Sequence, residues 1–395
     1  MKVTIISEGY FPELSGVTVS LHKRLECFSR WGHQVQVFAP DYSALSGLYP
    51  NYKDHLGEIM PGITVHPFAS VPYYVDYTRD PKPFTLGALD EKIIQFDPDV
   101  IHVECPERLF VGFLGRPGIK LARKLNIPAT AIYHTNYLAL ADDYKEQVKF
   151  LSIPGMTYLM KKMLVWVYNS YRVLMIASPG ASSYLSSWGV KNGLHGNYNG
   201  VDPAQFFPAD QISIQAGNLN FLYAGRLTPD KGIHTLLQAF DLAYDALPNA
   251  RFTIVGGGSE ADAVNAWVAS HPRSSALGRV PYGDMGAHFR AAHVLVSTCP
   301  KEQRPLSLLE AISCGLPILG PDSGGVKELV EHEQSGLLVT PSDPVALSQA
   351  MIRVANDVEL YRRLRDRTLS LSQYQSWELC SREMLQTWQN LPGNA

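Results

Sequence analysis

The chain has no Cys-x-x-Cys pair, and its five cysteines, Cys27, Cys105, Cys299, Cys314 and Cys380, are widely scattered and odd in number. That excludes a structural zinc site built on cysteine and fits a reducing compartment. No apolar stretch reaches the ~18 residues that a membrane-spanning helix needs, so any membrane contact is expected to be peripheral. No field of one charge is present either. The 34 basic residues stand against 37 acidic ones, a net of -3, which leaves no basic surface for a nucleic acid to exploit. There is no repeat of about 20 to 50 residues and no low-complexity segment. Met1-Lys2-Val3-Thr4-Ile5-Ile6-Ser7 enters an apolar strand at once, without the h-region of a secretory leader, so a cytoplasmic location is expected.

What is there is an ordinary globular composition, 46% hydrophobic and 18% charged, over 395 residues. That length is too great for one comfortable core, and two domains are expected. Strand candidates at Val3–Ser7, Gln34–Ala39, Ile63–Pro67, Val100–Val103, Ala129–Tyr133 and Val173–Ala177 alternate with helix candidates at Val17–Trp31, Leu86–Phe96, Leu109–Leu125 and Gly180–Trp188. Such alternation predicts a mostly parallel sheet covered on both faces.

Turn residues from Asn197 to Pro203, and a polar stretch through Asn220, mark a junction. The alternation then restarts. It gives strands at Phe221–Ala224, Phe252–Val255, Leu277–Val280 and Val294–Ser297, with helices at Ile233–Leu247, Glu260–Ser270 and Met285–Ala292. The expected division is 1–205, then 206–374, with a last helix in 375–395. Trp377, Leu379, Met384, Leu385 and Trp388 carry too much apolar surface for a free tail, so that helix is expected to pack on the first domain.

Glu302 and Glu310 stand eight positions apart where an apolar strand runs through a Pro-containing loop into a helix that ends at Gly315. The first acid falls in the loop and the second inside the helix, while the free N–H groups of the first turn point between them. Two acceptors for hydroxyls around an anion site suit a sugar nucleotide. Arg226 and Lys231 lie in another strand-to-helix loop, Gly225-Arg226-Leu227-Thr228-Pro229-Asp230-Lys231-Gly232, where two cations can hold a diphosphate. Solvated turn residues are the plain alternative for each of these side chains.

The turn Val255-Gly256-Gly257-Gly258 lets a ligand approach the backbone, and is read as a wall of the nucleotide pocket, although glycines there often only permit a tight bend. Amides of Ser15 or Gly16, after the first strand, are placed to meet a diphosphate; a connecting loop with Ser15 as N-cap is the alternative. His134 closes the strand Ala129–Tyr133 and is a candidate donor to a sugar hydroxyl or anionic acceptor group. His22, His33, His55 and His332 read as structural. The apolar, basic run at 149–168 suits either a buried helix or contact with an anionic membrane.

Taken jointly, Ser15-Gly16, His134-Thr135, Asn199-Gly200-Val201-Asp202, Gly225-Arg226 with Lys231-Gly232, Val255 to Gly258, and the Glu302 to Glu310 spacing before Gly315-Leu316-Pro317 resemble glycosyltransferase family 4 over nearly the whole chain. The resemblance implies an α/β GT-B fold, two doubly wound Rossmann-like domains facing across a cleft. The first would bind the acceptor and the second the donor. It implies retaining transfer of a hexose from a UDP- or GDP-sugar to a lipid or saccharide, with no cofactor and no metal held by the protein. It places Glu302 on hexose hydroxyls, Glu310 on the ribose, Arg226 and Lys231 on the diphosphate with the amides of Leu306 and Ser307, and His134 near the reacting centre. The Pro12 to Val17 loop and the His-Thr segment are similar to the lipid-directed branch with sulfoquinovosyl diacylglycerol synthases and phosphatidylinositol mannosyltransferases.

In one place the chain departs from the family pattern. Gln303-Arg304-Pro305 stand where a small residue and Phe-Gly are usual, so an N–H is lost and a cation gained. Rival readings are a nucleotide-sugar 2-epimerase of the same architecture, a nicotinamide-dependent oxidoreductase and a nucleotide-sugar-binding protein without turnover. No carboxylate set for epimerisation is evident in the first half, and Gly9 and Gly16 lack the dinucleotide spacing.

Overall fold

The structure is a computed structural model that describes residues 1–72, 78–135, 155–209, 216–372 and 376–392. Asn136 and Tyr137, the start of the 149–168 run, residues 73–77 and part of the polar junction lie outside the described residues. The chain divides into two compact units, Met1–Gly200 with Trp377–Ala395, and Val201–Ser376.

Unit one contains β1 (Lys2–Ile6), α1 (Gly16–Arg30), β2 (Gln34–Pro40), β3 (Gly57–Met60), β4 (Ile63–Phe68), β5 (Ser70–Pro72), β6 (Arg79–Pro81), α2 (Asp90–Phe96), β7 (Val100–Glu104), α3 (Pro106–Phe113) and α4 (Ile119–Leu125). It continues with β8 (Ala129–Tyr133), α5 (Met156–Tyr168), β9 (Val173–Ile176), α6 (Pro179–Trp188) and β10 (Gly193–His195). Its main sheet runs β10-β9-β8-β7-β1-β2-β4-β3 and is parallel apart from β3, while β5 and β6 pair as a separate hairpin. Strands such as β1, β2, β7 and β8 are buried nearly from end to end, as in a parallel sheet covered on both faces. Strand order reverses between β1 and β7, which puts a topological switch point at their carboxyl ends.

Unit two contains β11 (Asn220–Ala224), α7 (Ile233–Tyr244), β12 (Arg251–Val255), α8 (Ala261–Ser270), β13 (Ser274–Ala276), α9 (Met285–Ala291), β14 (Val294–Val296) and α10 (Leu306–Ser313). After these come β15 (Ile318–Pro321), α11 (Gly324–Leu329), β16 (Gly336–Val339), α12 (Pro344–Asn356) and α13 (Val358–Leu371). Its parallel sheet has the order β13-β12-β11-β14-β15-β16, the doubly wound order with its switch point between β11 and β14. Phe221, Phe240, Phe252 and Ile254 share one core cluster with Met351 of α12 and Tyr361 of α13.

The last helix, α14 (Trp377–Gln389), belongs to unit one. It lies against α1, where the Trp388 ring sits 5.6 Å from that of Phe28 and both side chains are fully buried. Met384 joins the same cluster as Tyr10, Leu21, Leu25 and Val37.

Two expectations are corrected. The helix expected over Leu109–Leu125 is two helices, α3 and α4. Leu114 ends the first in the left-handed region, and the bend at Pro117-Gly118 follows, with Gly118 at φ +73° and a Cβ there 2.6 Å from Ile101. The strand expected at Leu277–Val280 is instead β13 at Ser274–Ala276, pairing with Phe252–Ile254 before Gly278 turns the chain at φ +65°. The hairpin β5–β6, the edge strands β3 and β10, and α11 with β16 are further elements of the fold. All are short, and their hydrophobic patterns are too brief for periodicity to register.

Candidate active site

The strongest convergence is at the switch point of unit two. β11 leads into a loop in which Tyr223 Oη donates to the carbonyl of Arg226 at 2.9 Å. Gly232 follows at φ +72°, and a Cβ there would stand 2.7 Å from the carbonyl oxygen of Thr298. The β11 loop therefore packs directly on the loop after β14. Thr298 Oγ1 donates to the carbonyl of Lys231 at 2.7 Å and Cys299 Sγ to that of Asp230 at 3.2 Å, which locks the two loops together.

That lock brings Lys231 Nζ within 2.5 Å of Glu302 Oε1. Their side chains are 19% and 23% exposed, so the pair is shielded yet reachable. Burial works against the ammonium of Lys231, but the Glu302 carboxylate outweighs it and holds Lys231 above its ordinary value. Arg226 contacts Asp230 at 3.4 Å, and its guanidinium stays 41% exposed while Asp230 is buried. One cation is thus deep and paired, the other at the rim.

Glu302 is fixed from behind by α11. Gly325 N–H donates to the carbonyl of Glu302 at 2.7 Å, and Ser323 Oγ to that of Pro300 at 3.0 Å. Neither Gly324 nor Gly325 leaves room for a side chain, since a Cβ at the first would lie 2.5 Å from the carbonyl oxygen of Glu302 and one at the second would overlap that of Gln303. Pro305 caps α10, whose turn begins with Leu308 N–H on the Pro305 carbonyl. The N–H groups of Leu306 and Ser307 have no helical acceptor and face outward from the helix start. A turn later Glu310 is buried, and burial pushes its carboxyl up to about 7, with Tyr282 acting in the opposite direction.

The glycine turn after β12 has a structural reason of its own. A Cβ on Gly256 would fall on the carbonyl oxygen of Gly225, one on Gly258 on that of Leu227, and one on Gly257 2.7 Å from the Arg279 side chain. The turn lies at the same sheet edge as Arg226 and Glu302, but Gly256 and Gly258 are required by backbone packing against the β11 loop, whereas Gly257 meets only the Arg279 side chain.

In unit one Ser15 is the N-cap of α1. Its hydroxyl accepts from Thr18 N–H at 3.2 Å and Thr18 Oγ1 accepts from Ser15 N–H at 2.9 Å, a complete capping box. The Ser15 hydroxyl and amide are therefore committed within the chain. Nothing lies within 4 Å of a Cβ built on Gly16, whose amide begins the helix.

His134 follows β8, and its Nε2 lies 2.6 Å from Glu104 Oε2 at the end of β7. Glu104 is fully buried and meets Arg24 of α1 at 3.0 Å and His102 at 3.4 Å. Burial opposes the Glu104 carboxylate, but Arg24 and the two histidines outweigh it and hold it well below the usual carboxylate range. Nearby, Arg108 on α3 bridges Asp80 at 2.9 Å and Glu8 at 3.5 Å. Tyr42 is buried with its hydroxyl on Glu13 at 2.7 Å. No group of three or more His, Cys, Asp or Glu side chains suited to a metal is present among the described residues.

Sequence reasoning did not single out Glu104, Arg24, His102, Tyr282 or Asp230. A signal existed for two of them. His102 and Glu104 are alternate residues of an otherwise apolar strand, hence on one face, and polar side chains buried in a parallel sheet need partners. Arg24, 80 residues away from Glu104, carries no such local mark.

Two family models match the chain, "Glycosyltransferase Family 4" over residues 14–205 and "Glycosyl transferases group 1" over residues 209–370. Among curated relatives, a GDP-mannose-dependent alpha-mannosyltransferase of Mycobacterium tuberculosis is 26% identical, covering 86% of this chain and 84% of its own. An alpha-monoglucosyldiacylglycerol synthase of Acholeplasma laidlawii is 23% identical, with 89% and 88% covered. Among solved structures, Anabaena HepE in complex with UDP and glucose superposes with a TM-score of 0.71 at 18% identity, over 99% of this chain and 100% of that one. Sucrose-phosphate synthase from Thermosynechococcus elongatus gives 0.73 at 22% identity, with 98% of both chains covered.

Proposed function

The chain belongs to the family 4 glycosyltransferases, with the GT-B fold, and on that premise we propose that it transfers a hexose from a nucleoside-diphosphate sugar held by unit two, with retention of configuration. One observation carries the donor assignment: Lys231 and Glu302 meet at 2.5 Å at the switch point between β11 and β14, beside the start of α10. Glu302 then accepts from hexose hydroxyls, Lys231 and Arg226 neutralise the diphosphate, and the Leu306 and Ser307 amides add donors. Glu310, one turn inside, takes the ribose.

In the reaction the bond from the anomeric carbon to the β-phosphate oxygen breaks while an acceptor oxygen bonds the same carbon on the same face. The acceptor's proton passes to the departing phosphate. Charge grows on that phosphate as the bond breaks, so fixed cations and amides stabilise the transition state more than the ground state. No protein nucleophile is required. His134, in unit one, is read as a donor to a sugar hydroxyl or to an anionic acceptor group.

The relatives named for lipid and mannosyl transfer support a lipid or saccharide acceptor bound by unit one. A lipid is favoured by α5. It exposes Tyr158, Leu159 and Trp166 beside Lys161 and Lys162, with Arg116 stacked 3.9 Å over Trp166, a mixture suited to an anionic membrane surface. Among the described residues no helix is long and apolar enough to cross a membrane.

A thermal-shift screen of UDP-, GDP- and ADP-sugars identifies the donor, since a ligand of the folded state raises the melting temperature. Incubating that donor with diacylglycerol lipids and with saccharides, and reading the anomeric proton coupling of the product, tests the transfer. Conversion of the sugar nucleotide to its 2-epimer without any acceptor contradicts it.

A further inference from the structure

The polar network in the core of unit one has a direction that can be read from donor chemistry alone. Trp388 Nε1 on α14 lies 3.1 Å from Thr130 Oγ1, and Thr130 Oγ1 lies 2.8 Å from His102 Nδ1. An indole N–H only donates, so the Thr130 oxygen accepts from Trp388. The Thr130 hydroxyl proton can then go to His102 Nδ1, and the carboxylate facing Nε2 selects that arrangement, in which Nδ1 accepts and a neutral His102 carries its proton on Nε2. That nitrogen faces Glu104 Oε1 at 3.4 Å, a long contact in which N–H toward carboxylate is favourable and a lone pair is not. Burial also lowers the pKa of His102, in keeping with a neutral ring.

Glu104, kept ionised by Arg24, has acceptors only, so the 2.6 Å contact with His134 requires a proton on His134 Nε2. Every side chain in this series is buried or nearly so: Thr130, His102 and Glu104 at 0%, Trp388 at 2%. Met384, also on α14, accepts from Arg24 Nη1 at 3.4 Å. The closing helix therefore touches both ends of the support that stands behind His134.

We propose that Glu104 is the positioning residue for His134, fixing its ring with the proton on Nε2, and that α14 sets this arrangement through Trp388, Thr130 and His102. Nδ1 of His134 is thereby the nitrogen presented to substrate. The proposal rests on the reading of His134 as a substrate-side group, and the two are separable by experiment. The imidazole nitrogens of the full-length protein are observed by long-range 1H–15N NMR, alongside steady-state kinetics with the donor found in the screen.

Wild type should show His102 neutral with Nε2 protonated, and His134 with Nε2 protonated. Glu104→Gln should release the His134 ring, shift its 15N signals, and lower kcat by roughly 10²-fold with donor KM little changed. Trp388→Phe keeps the ring packing and removes the N–H; it should shift the His102 signals and lower kcat several-fold, and it serves if Glu104→Gln fails to fold. Unchanged His134 signals in Glu104→Gln overturn the proposal, as do unchanged His102 signals in Trp388→Phe. Full kcat in His134→Ala removes the substrate-side reading, while the NMR result still decides the positioning.

Discussion

Lys231 and Glu302, 71 residues apart in sequence, form a 2.5 Å ion pair because the loops after β11 and β14 are bolted to one another through Gly232, Thr298 and Cys299. Each residue is the other's counter-charge, and on the proposed function the pair also meets the donor: a diphosphate would compete with Glu302 for the ammonium, and hexose hydroxyls with Lys231 for the carboxylate. For stability, removal of one partner should be worse than removal of both.

Lys231→Ala leaves the Glu302 carboxylate shielded without a cation. It should lower the free energy of unfolding by about 1–3 kcal/mol, with the Lys231→Ala/Glu302→Ala double variant recovering part of that loss. Urea denaturation measures it. Transfer should fall by about 10³-fold in either single variant, and the double variant should not recover it, because the cation and the acceptor are both needed in the transition state.

Glu310 gives the protein a pH dependence. Its carboxyl is raised from an ordinary 4.5 to about 7, so the folded state holds a proton that the unfolded state has lost between those values. The stability this represents is present below about pH 4.5 and is lost as pH rises through about 7, some 3 kcal/mol in all. Glu310→Gln should flatten the melting temperature across that window. Ribose hydroxyls favour the ionised form, so donor binding near pH 6.5 should release protons, seen as a buffer-dependent enthalpy in calorimetry.

Trp388 fills the core between α1 and the sheet of unit one. Trp388→Ala should cost about 3–5 kcal/mol through the cavity it opens. Chemical denaturation reads this as a lower midpoint, and the loss should exceed that of Trp388→Phe, which keeps most of the packing.

If α5 meets a membrane, Trp166→Ala with Lys161→Glu and Lys162→Glu should abolish co-sedimentation with vesicles containing anionic lipid. Transfer to a water-soluble acceptor should be unaffected. Wild-type protein should bind neutral vesicles weakly, since each basic residue near an anionic surface adds about 1 kcal/mol.

Much of this was legible from the chain. Short β-branched and apolar runs such as Lys2–Ile6 and Arg251–Val255, separated by long helical patterns, announce a parallel sheet, and Trp377, Met384 and Trp388 announce a helix that needs a core. The acids and cations of the donor loops were visible because they sit at strand-to-helix turns. The partners that hold them were not. Glu104 behind His134, Thr298 behind Lys231 and Tyr282 beside Glu310 are brought in by strand order, and strand order is set by packing between elements far apart in sequence. For the same reason the glycines after β12 read as a ligand wall, while the packing need shows in the Gly225 carbonyl over Gly256 and the Leu227 carbonyl over Gly258.

The most direct test titrates the donor found by the thermal screen into wild type, Lys231→Ala, Glu302→Ala and Arg226→Ala by calorimetry, with folding checked by circular dichroism. One nucleotide sugar should bind wild type. The free nucleoside diphosphate should lose about tenfold or more in affinity on Lys231→Ala and less on the rim variant Arg226→Ala, while Glu302→Ala should weaken the sugar nucleotide more than the free diphosphate. Undiminished binding of both ligands to folded Lys231→Ala and Glu302→Ala would place the donor elsewhere.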